Sequence, residues 1–422
     1  MNRDTVDRTS LGLALVALLF VAADWTRFRG PDAGGTSDDT GVPTTWSAEE
    51  NVVWKTALPG FGASSPITLG DRVFLTCYSG YGFDADDPGD QEKLQLNVLA
   101  INRADGKILW AKGCEARLPD TEYGGFIRLH GYASSTPATD GEAVYAFFGR
   151  SGVLAYSTDG EPLWRAYVGD GSHGWGSASS PVLYKNLVIV GASVESQSIV
   201  ALDKSSGEEV WRVEGIEKSW STPLVVETAD GSQELVVSML GKVLGLDPAT
   251  GKELWQCAGV KDYVCAGVIA HEGIVYITGG RKPQSFAIRA GGRGDVTETH
   301  LVWEINKASK VATPVYHDGH LYWIDNKAAA VCVDAKTGEV VYEERLEISG
   351  KGDKVYASLV LVDGKLYGVS REDGAVVLAA KPEFEQIARN DLGDPSIFNA
   401  TPVPSNGQLL LRSDRFLYCI GE

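Results

Sequence analysis

Apolar positions in this chain fall in short runs of β-branched and aromatic residues, broken by Gly, Asp and Asn, and stretches with a helical period are scarce. The pattern is clearest around Gly245. Val243, Leu244 and Leu246 read as the end of a strand, Asp247-Pro-Ala-Thr-Gly251 as a turn, and Leu254 and Trp255 as the start of a second strand. Pro248 pre-sets φ, the Asp247 carboxylate can cap the turn's own amides, and Gly251 supplies the positive φ of a bulged hairpin. A lone hairpin is marginal in water and cannot bury a tryptophan. It needs neighbours.

The neighbours are copies of it. A small-residue strand carrying Ser/Thr-Pro, a second strand of Val-Tyr-Ile type, a third ending in Ala-Leu-Asp and a fourth starting at Trp recur along the chain. The first landmark stands at Ser65-Pro66, Thr136-Pro137, Ser180-Pro181, Thr222-Pro223, Thr313-Pro314 and Thr401-Pro402, with degenerate copies at Ala266-Gly267-Val268 and Ala357-Ser358-Leu359. From Pro137 onward the copies are 42–46 residues apart, while the first interval, 71 residues, carries two insertions. The second landmark agrees, at Trp54, Trp110, Trp164, Trp211, Trp255 and Trp303, weakening to Tyr342 and Ile387. Four short strands per repeat predict an all-β, eight-bladed β-propeller of four-stranded antiparallel blades. The last unit, Phe398–Ile420, runs out after three strands. Asn51–Thr56, with Trp54, is therefore expected to supply the outer strand of that blade and close the ring non-covalently.

The repeated Ala-Leu-Asp-x-x-Thr-Gly-x-x-x-Trp hairpin resembles the tryptophan-docking repeat of the pyrroloquinoline-quinone (PQQ)-like propellers, over residues 51–422. That superfamily includes quinoprotein alcohol dehydrogenases and BamB-like secreted propellers, and the chain's length and exported character are most similar to the latter. For function the resemblance implies two alternatives, because one fold hosts both. One is a non-catalytic binding or scaffold protein. The other is an oxidoreductase that uses PQQ and Ca²⁺ on an alcohol or sugar. The enzymes resemble one another in a Ca²⁺ held by Glu, Asn and Asp, a catalytic Asp, a Trp beneath the quinone and often a vicinal Cys-Cys disulfide. Trp175 or Trp220 could be that stacking floor. The chain has no Cys-Cys pair, and no Glu/Asn/Asp set can be matched residue by residue. The expectation is a scaffold with no catalytic residues, no metal site and no cofactor.

The two ends and the charge refine this. Leu11–Ala22 is an apolar run too short to span a bilayer comfortably, followed by Val21-Ala22-Ala23, which suits a signal-peptidase site. Residues 1–23 are thus expected to be a signal peptide that leaves no transmembrane segment after cleavage. Residues 24–50 are expected to be an extended arm and 51–422 a single propeller domain. A formal net charge of −18 and a sequence pI near 4.8 argue against nucleic acid and for solubility in a periplasmic or extracellular space, and the chain is expected to be a monomer. Six cysteines are no disulfide framework. Cys332 and Cys419 read as buried thiols, and Cys257/Cys265 or Cys77/Cys114 could pair in an oxidising compartment.

Candidate chemistry comes from what precedes each inner strand. Phe61, Tyr132, Trp175, Trp220, Tyr263, Tyr356 and Phe398 stand there in seven of the eight units. His130, His173, Lys218, Lys261, Lys310 and Lys354 fall in the same segments. Inner strands line a propeller's channel, so these residues predict a mouth ringed by aromatic faces and cations, suited to a protein partner or a small anionic ligand. The competing reading packs the aromatics between blades and leaves the lysines solvated. Two loops also stand out. Asp84–Asp90 is acidic but lacks the spacing of a calcium loop and reads as solvated. Arg289-Ala-Gly-Gly-Arg-Gly-Asp-Val-Thr297 replaces the standard turn in the fifth unit, and its Arg289, Gly291, Gly292, Arg293 and Gly294 could form an anion nest.

Overall fold

The computed structural model describes residues 24–422; the expected signal segment lies outside them. Eight small, mainly antiparallel sheets follow one another around an axis, and among the described residues α-helix is limited to two single turns, at Ser193–Ser196 and Thr297–His300. Seven of the eight blades are built from consecutive strands. The eighth joins Val403–Ser405, Gln408–Arg412 and Phe416–Ile420 to Val52–Ala57 from the other end of the chain, in register Trp54↔Cys419 and Thr56↔Leu417. The predicted architecture and its closure are both present.

The hairpin before each tryptophan folds as its residues dictate. The Asp247 carboxylate accepts from the amides of Ala249 (2.8 Å) and Thr250 (3.2 Å), Gly251 has φ +72°, and a bulge separates Gly245 from Leu246. Glycine is required here twice over. A Cβ on Gly251 would also lie 2.7 Å from the Trp211 ring, because each such turn is the platform for the indole of the preceding blade. The indole N–H then donates to the turn: Trp54 to the Arg103 carbonyl (3.0 Å), Trp110 to Thr158 (3.1 Å), Trp164 to Lys204 (2.7 Å) and Trp303 to Ala335 (3.0 Å). Two indoles depart from this rule: the Trp211 N–H has no partner, and Trp255 turns to another acceptor. Its turn partner in the fifth blade is the inserted Arg289–Thr297 loop, and its N–H donates to the Glu234 carboxylate in its own blade, at 2.6 Å. The core is accordingly a set of clusters between neighbouring blades, as where Trp255, Val243 and Val268 pack with Val275, Phe286 and Val296.

Residues 24–50 cross the ring. Trp25 and Thr26 bond to Thr68 of the first blade and Thr139 of the second, while Arg29 donates to the carbonyls of Thr313, Pro314 and Leu359 in the sixth and seventh units. Only Arg27 and Phe28 lie between these contacts, and the Arg29 side chain completes the reach across the axis. It then runs beside the seventh blade, pairing Thr36–Ser37 with Leu361–Val362 and stacking Trp46 on Tyr367 at 6.4 Å. Arg29 is buried, and that burial pulls its pKa down to about 9, with Asp32 opposing the shift.

All six cysteines are free. Cys77 and Cys114 lie on strands separated by a third, Gln95–Asn102. Two strand spacings, about 10 Å, exceed the reach of a disulfide.

Candidate functional site

The Ser/Thr-Pro landmark builds the axis. Its hydroxyls are linked in a ring: the amide of Ser65 donates to Thr136, Thr136 to Ser180, Ser180 to Thr222, then Gly267 to Thr313, Thr313 to Ser358, Ser358 to Thr401, and Thr401 back to Ser65. These seven bonds are 2.8–3.2 Å long. Ser358, in a degenerate copy of the landmark, takes its place fully. The ring is interrupted once, where Gly267 has no hydroxyl to offer Thr222. A Cβ at Gly267 would sit 3.8 Å from the Phe28 ring, so the arm's aromatic fills the notch beside the missing side chain.

The seven hydroxyls line a central cavity of about 400 Å³. Phe28, from the arm, is part of its wall, and because the arm contacts the far ends of the inner strands it floors the cavity there. The result is a blind cup. Its mouth carries Trp175, Trp220, Tyr263 and Tyr356, all anticipated, and Phe126, which was not. Trp175 is the hub, 4.9 Å from Trp220, 4.7 Å from Tyr263 and 5.4 Å from Phe126, ring centre to ring centre. The Trp220 indole donates to the Gly176 carbonyl at 2.7 Å, which fixes its angle. Phe126 stands on a 3₁₀ turn, Gly125–Leu129, inside the second insertion of the long first interval, and is 55% exposed.

The cations do not converge as the ring of aromatics does. Lys310 reaches the cup, paired with Asp353 at 3.5 Å, and His130 lines it, with Nδ1 2.5 Å from Ser134 Oγ. Burial lowers the His130 pKa to about 4, helped by Arg371, so it is a neutral imidazole at physiological pH. Arg281, unforeseen, completes the charged part of the wall and also pairs with Asp262 at 3.5 Å. Lys218 and Lys261 are exposed and outside the cup, and Lys354 donates to the Ile348 carbonyl in an outer groove. His173 is exposed, 5.0 Å from the Trp220 ring, with its pKa lowered by burial and then by Lys218. Among the aromatics, Phe61 packs on Phe83 (4.5 Å), Tyr132 on Tyr78 (5.2 Å) and Phe398 on Tyr418 (6.2 Å), all away from the cup.

Among the described residues Asp353 is the cup's only carboxylate, and it already meets Lys310, Asn326 and Tyr356. No group of three His, Cys, Asp or Glu side chains among those residues could hold a metal ion. The donor set of a quinoprotein calcium site is therefore not assembled on this wall.

The glycine-arginine loop is filled by its own chain. Gly291 N (3.0 Å) and Arg293 (3.4 Å) donate to the carboxylate of Glu234, the same group that receives the Trp255 indole. Gly294–Asp295 then pairs in parallel with the outer strand of the fourth blade, and Val296 packs beneath it. Arg289 and Arg293 remain solvent-facing, the latter 68% exposed. The nest is thus a clasp between the fourth and fifth blades.

A second acid is unusual. Glu195, buried beside the second blade, accepts from Ser177, has no partner for Oε2, and burial raises its pKa to about 7.

Comparison with known proteins fits this geometry. The sequence profile described as "Outer membrane protein assembly factor BamB" matches residues 94–341 and 295–381. Tetrathionate hydrolase of Acidithiobacillus ferrooxidans is 22% identical over 383 residues, covering 82% of this chain and 70% of that protein. BamB from Moraxella catarrhalis superposes with TM-score 0.61 at 14% identity, over 87% of this chain and 96% of that one. The quinohemoprotein alcohol dehydrogenase of Comamonas testosteroni gives 0.51 at 13%, over 94% and 80%. At such identities the structural likeness speaks for the fold.

Proposed function

We propose that this chain, which belongs to the outer membrane protein assembly factor BamB family, is an exported propeller that binds rather than catalyses, and that its ligand or partner group enters the blind cup. The observation that carries the reading is the cup itself: a 400 Å³ recess with an aromatic collar, closed below by Phe28, and with a single, already-paired carboxylate. Such a wall can desolvate and orient a guest. It offers no carboxylate acid–base pair, and its one hydroxyl–imidazole contact, Ser134 with His130, sets the serine beside a weak base, a buried ring whose pKa is lowered to about 4. The outer strands add a second surface for a protein partner, because residues such as Leu163 (52% exposed) and Val210 (51%) leave open, apolar strand edges suited to strand addition.

The alternative within this superfamily is cofactor-dependent oxidation, and the tetrathionate hydrolase relative adds a hydrolytic one. One set of assays addresses both. The purified chain is incubated with PQQ and Ca²⁺ and followed by dye-coupled oxidation of alcohols and sugars, and separately by loss of tetrathionate. Binding predicts no turnover in either. Turnover that disappears in Trp175→Ala would place chemistry in the cup and end this reading.

A further inference from the structure

Each hydroxyl of the axial ring accepts one amide hydrogen from the neighbouring unit. Among the described residues, none of the seven donates its own hydrogen to an acceptor in the chain. Seven O–H donors therefore remain uncommitted around one axis, at the base of a cavity that they line. A hydroxyl that accepts from an amide is polarised into a better donor. Two cations, Lys310 and Arg281, stand on the same wall, each beside one carboxylate, Asp353 and Asp262. Above them the collar centred on Trp175 offers ring faces and edges to a flat apolar body.

Resting on the reading of the cup as a binding site, we propose that its ligand is a small aromatic molecule ending in a tetrahedral oxyanion, a sulfonate or a phosphate monoester. The oxyanion would lie against the hydroxyl ring and the ring system in the collar. Donors spread all the way round an axis match three oxygens that point outward in three directions. A planar carboxylate presents two oxygens in one plane and meets fewer of them. Charge-assisted bonds from neutral hydroxyls hold an anion without requiring a matching buried cation, which suits a site whose Lys310 is already paired with Asp353. The break at Gly267, beside Phe28, makes the ring one-sided, and Lys310, from the same unit as Thr313, sets the wall's paired cation next to the hydroxyls of Thr313 and Ser358, where the oxyanion is held.

The test is calorimetric titration of the full chain with four probes of one shape: naphthalene-2-sulfonate, 2-naphthyl phosphate, 2-naphthoate and naphthalene-2-methanol. The sulfonate or the phosphate should bind at least tenfold tighter than the alcohol and tighter than the carboxylate, and which of the two leads separates the sources. Thr313→Val should erase most of that advantage and leave the alcohol unchanged. Thr313→Ser, which keeps the hydroxyl, should retain it, and thermal unfolding of both variants shows whether the ring still closes. Lys310→Met should reduce the advantage severalfold. Equal binding of all four probes, or tightest binding of the carboxylate, overturns the oxyanion assignment while leaving the cup as a site. No binding of any probe overturns both.

Discussion

Two joints in this ring differ in what fastens them. Between the fourth and fifth blades the chain is continuous, yet both standard fasteners are missing: Gly267 supplies no hydroxyl, and Trp255 finds no ordinary turn. A buried carboxylate, Glu234, and an inserted strand stand in for them. Between the eighth and first blades both standard fasteners are present, through Thr401–Ser65 and Trp54–Arg103, but only the outer strand Val52–Ala57 continues into the first blade, and the rest of the eighth blade joins that strand by pairing alone. There two buried arginines reinforce the seam. Arg412 donates to the carbonyls of Ser64 and Thr76, and Arg103 to Ser405 Oγ and the Gly70 carbonyl. A charged group with several acceptors can stand in for a repeated motif or a covalent link even where one nitrogen, Arg412 Nε or Arg103 Nη2, finds no partner.

Breaking the seam should have the largest effect. Arg412→Ala strands the carbonyls it serves and leaves a hole, so denaturant unfolding should report a loss of about 4–5 kcal/mol; a loss below about 1 kcal/mol would make the arginine incidental. The joint of the second and third blades supplies a control in which a buried acid lacks compensation. Burial lifts the Glu195 pKa from its ordinary 4.5 to about 7, so the folded state holds its proton where the unfolded chain has released it. Stability should then fall as pH rises from about 4.5 to 7, by on the order of 3 kcal/mol from this group alone. His130, with its pKa near 4 against 6.5, acts oppositely, costing stability as pH falls through 6.5 toward 4. Glu195→Gln should therefore turn a nearly flat profile into one that rises with pH, and an unchanged profile would refute the assignment.

At the clasp, Glu234→Ala leaves the Trp255 indole and the Gly291 amide unpaired and should cost about 2–3 kcal/mol, with Glu234→Gln recovering part because its amide oxygen still accepts. Equal losses for Ala and Gln would mean the carboxylate's acceptors are not what matters. The smallest change completes the hydroxyl ring. Gly267→Ser offers Thr222 an acceptor, in a backbone without a positive φ, and should stabilise by about 0.5–1 kcal/mol. The new Cβ lies 3.3 Å from Thr313 Oγ1, so a loss in thermal unfolding would show that this side chain cannot yield.

The fold was legible because its landmarks report on strand ends and turns, which are local. Trp54 could be assigned to the last blade from a count of strands alone. The site was legible in part. Trp175, Trp220, Tyr263 and Tyr356 precede their strands by segments of similar shape and reach the mouth, whereas Phe61, Tyr132 and Phe398 occupy the same sequence slot but are drawn into local aromatic packing. Of the lysines, position in sequence placed the backbone correctly but not a long flexible side chain, and Lys310 alone turns inward. Phe28 could not be found by period, because the arm does not repeat. The hydroxyls were in plain view as markers of register; that they bond in a circle follows only from how adjacent blades meet.

The closing strand also sets a clock. Val52–Ala57 is synthesised before the first blade, yet its partner, Phe416–Ile420, follows only after the other seven. At roughly 5–20 residues per second, the first strand waits tens of seconds with an unpaired edge. The arm waits as well, since Arg29 needs carbonyls in the sixth and seventh units. Until Phe416–Ile420 has been made the units stand near-complete around an unfinished ring, so that strand decides when the fold can close.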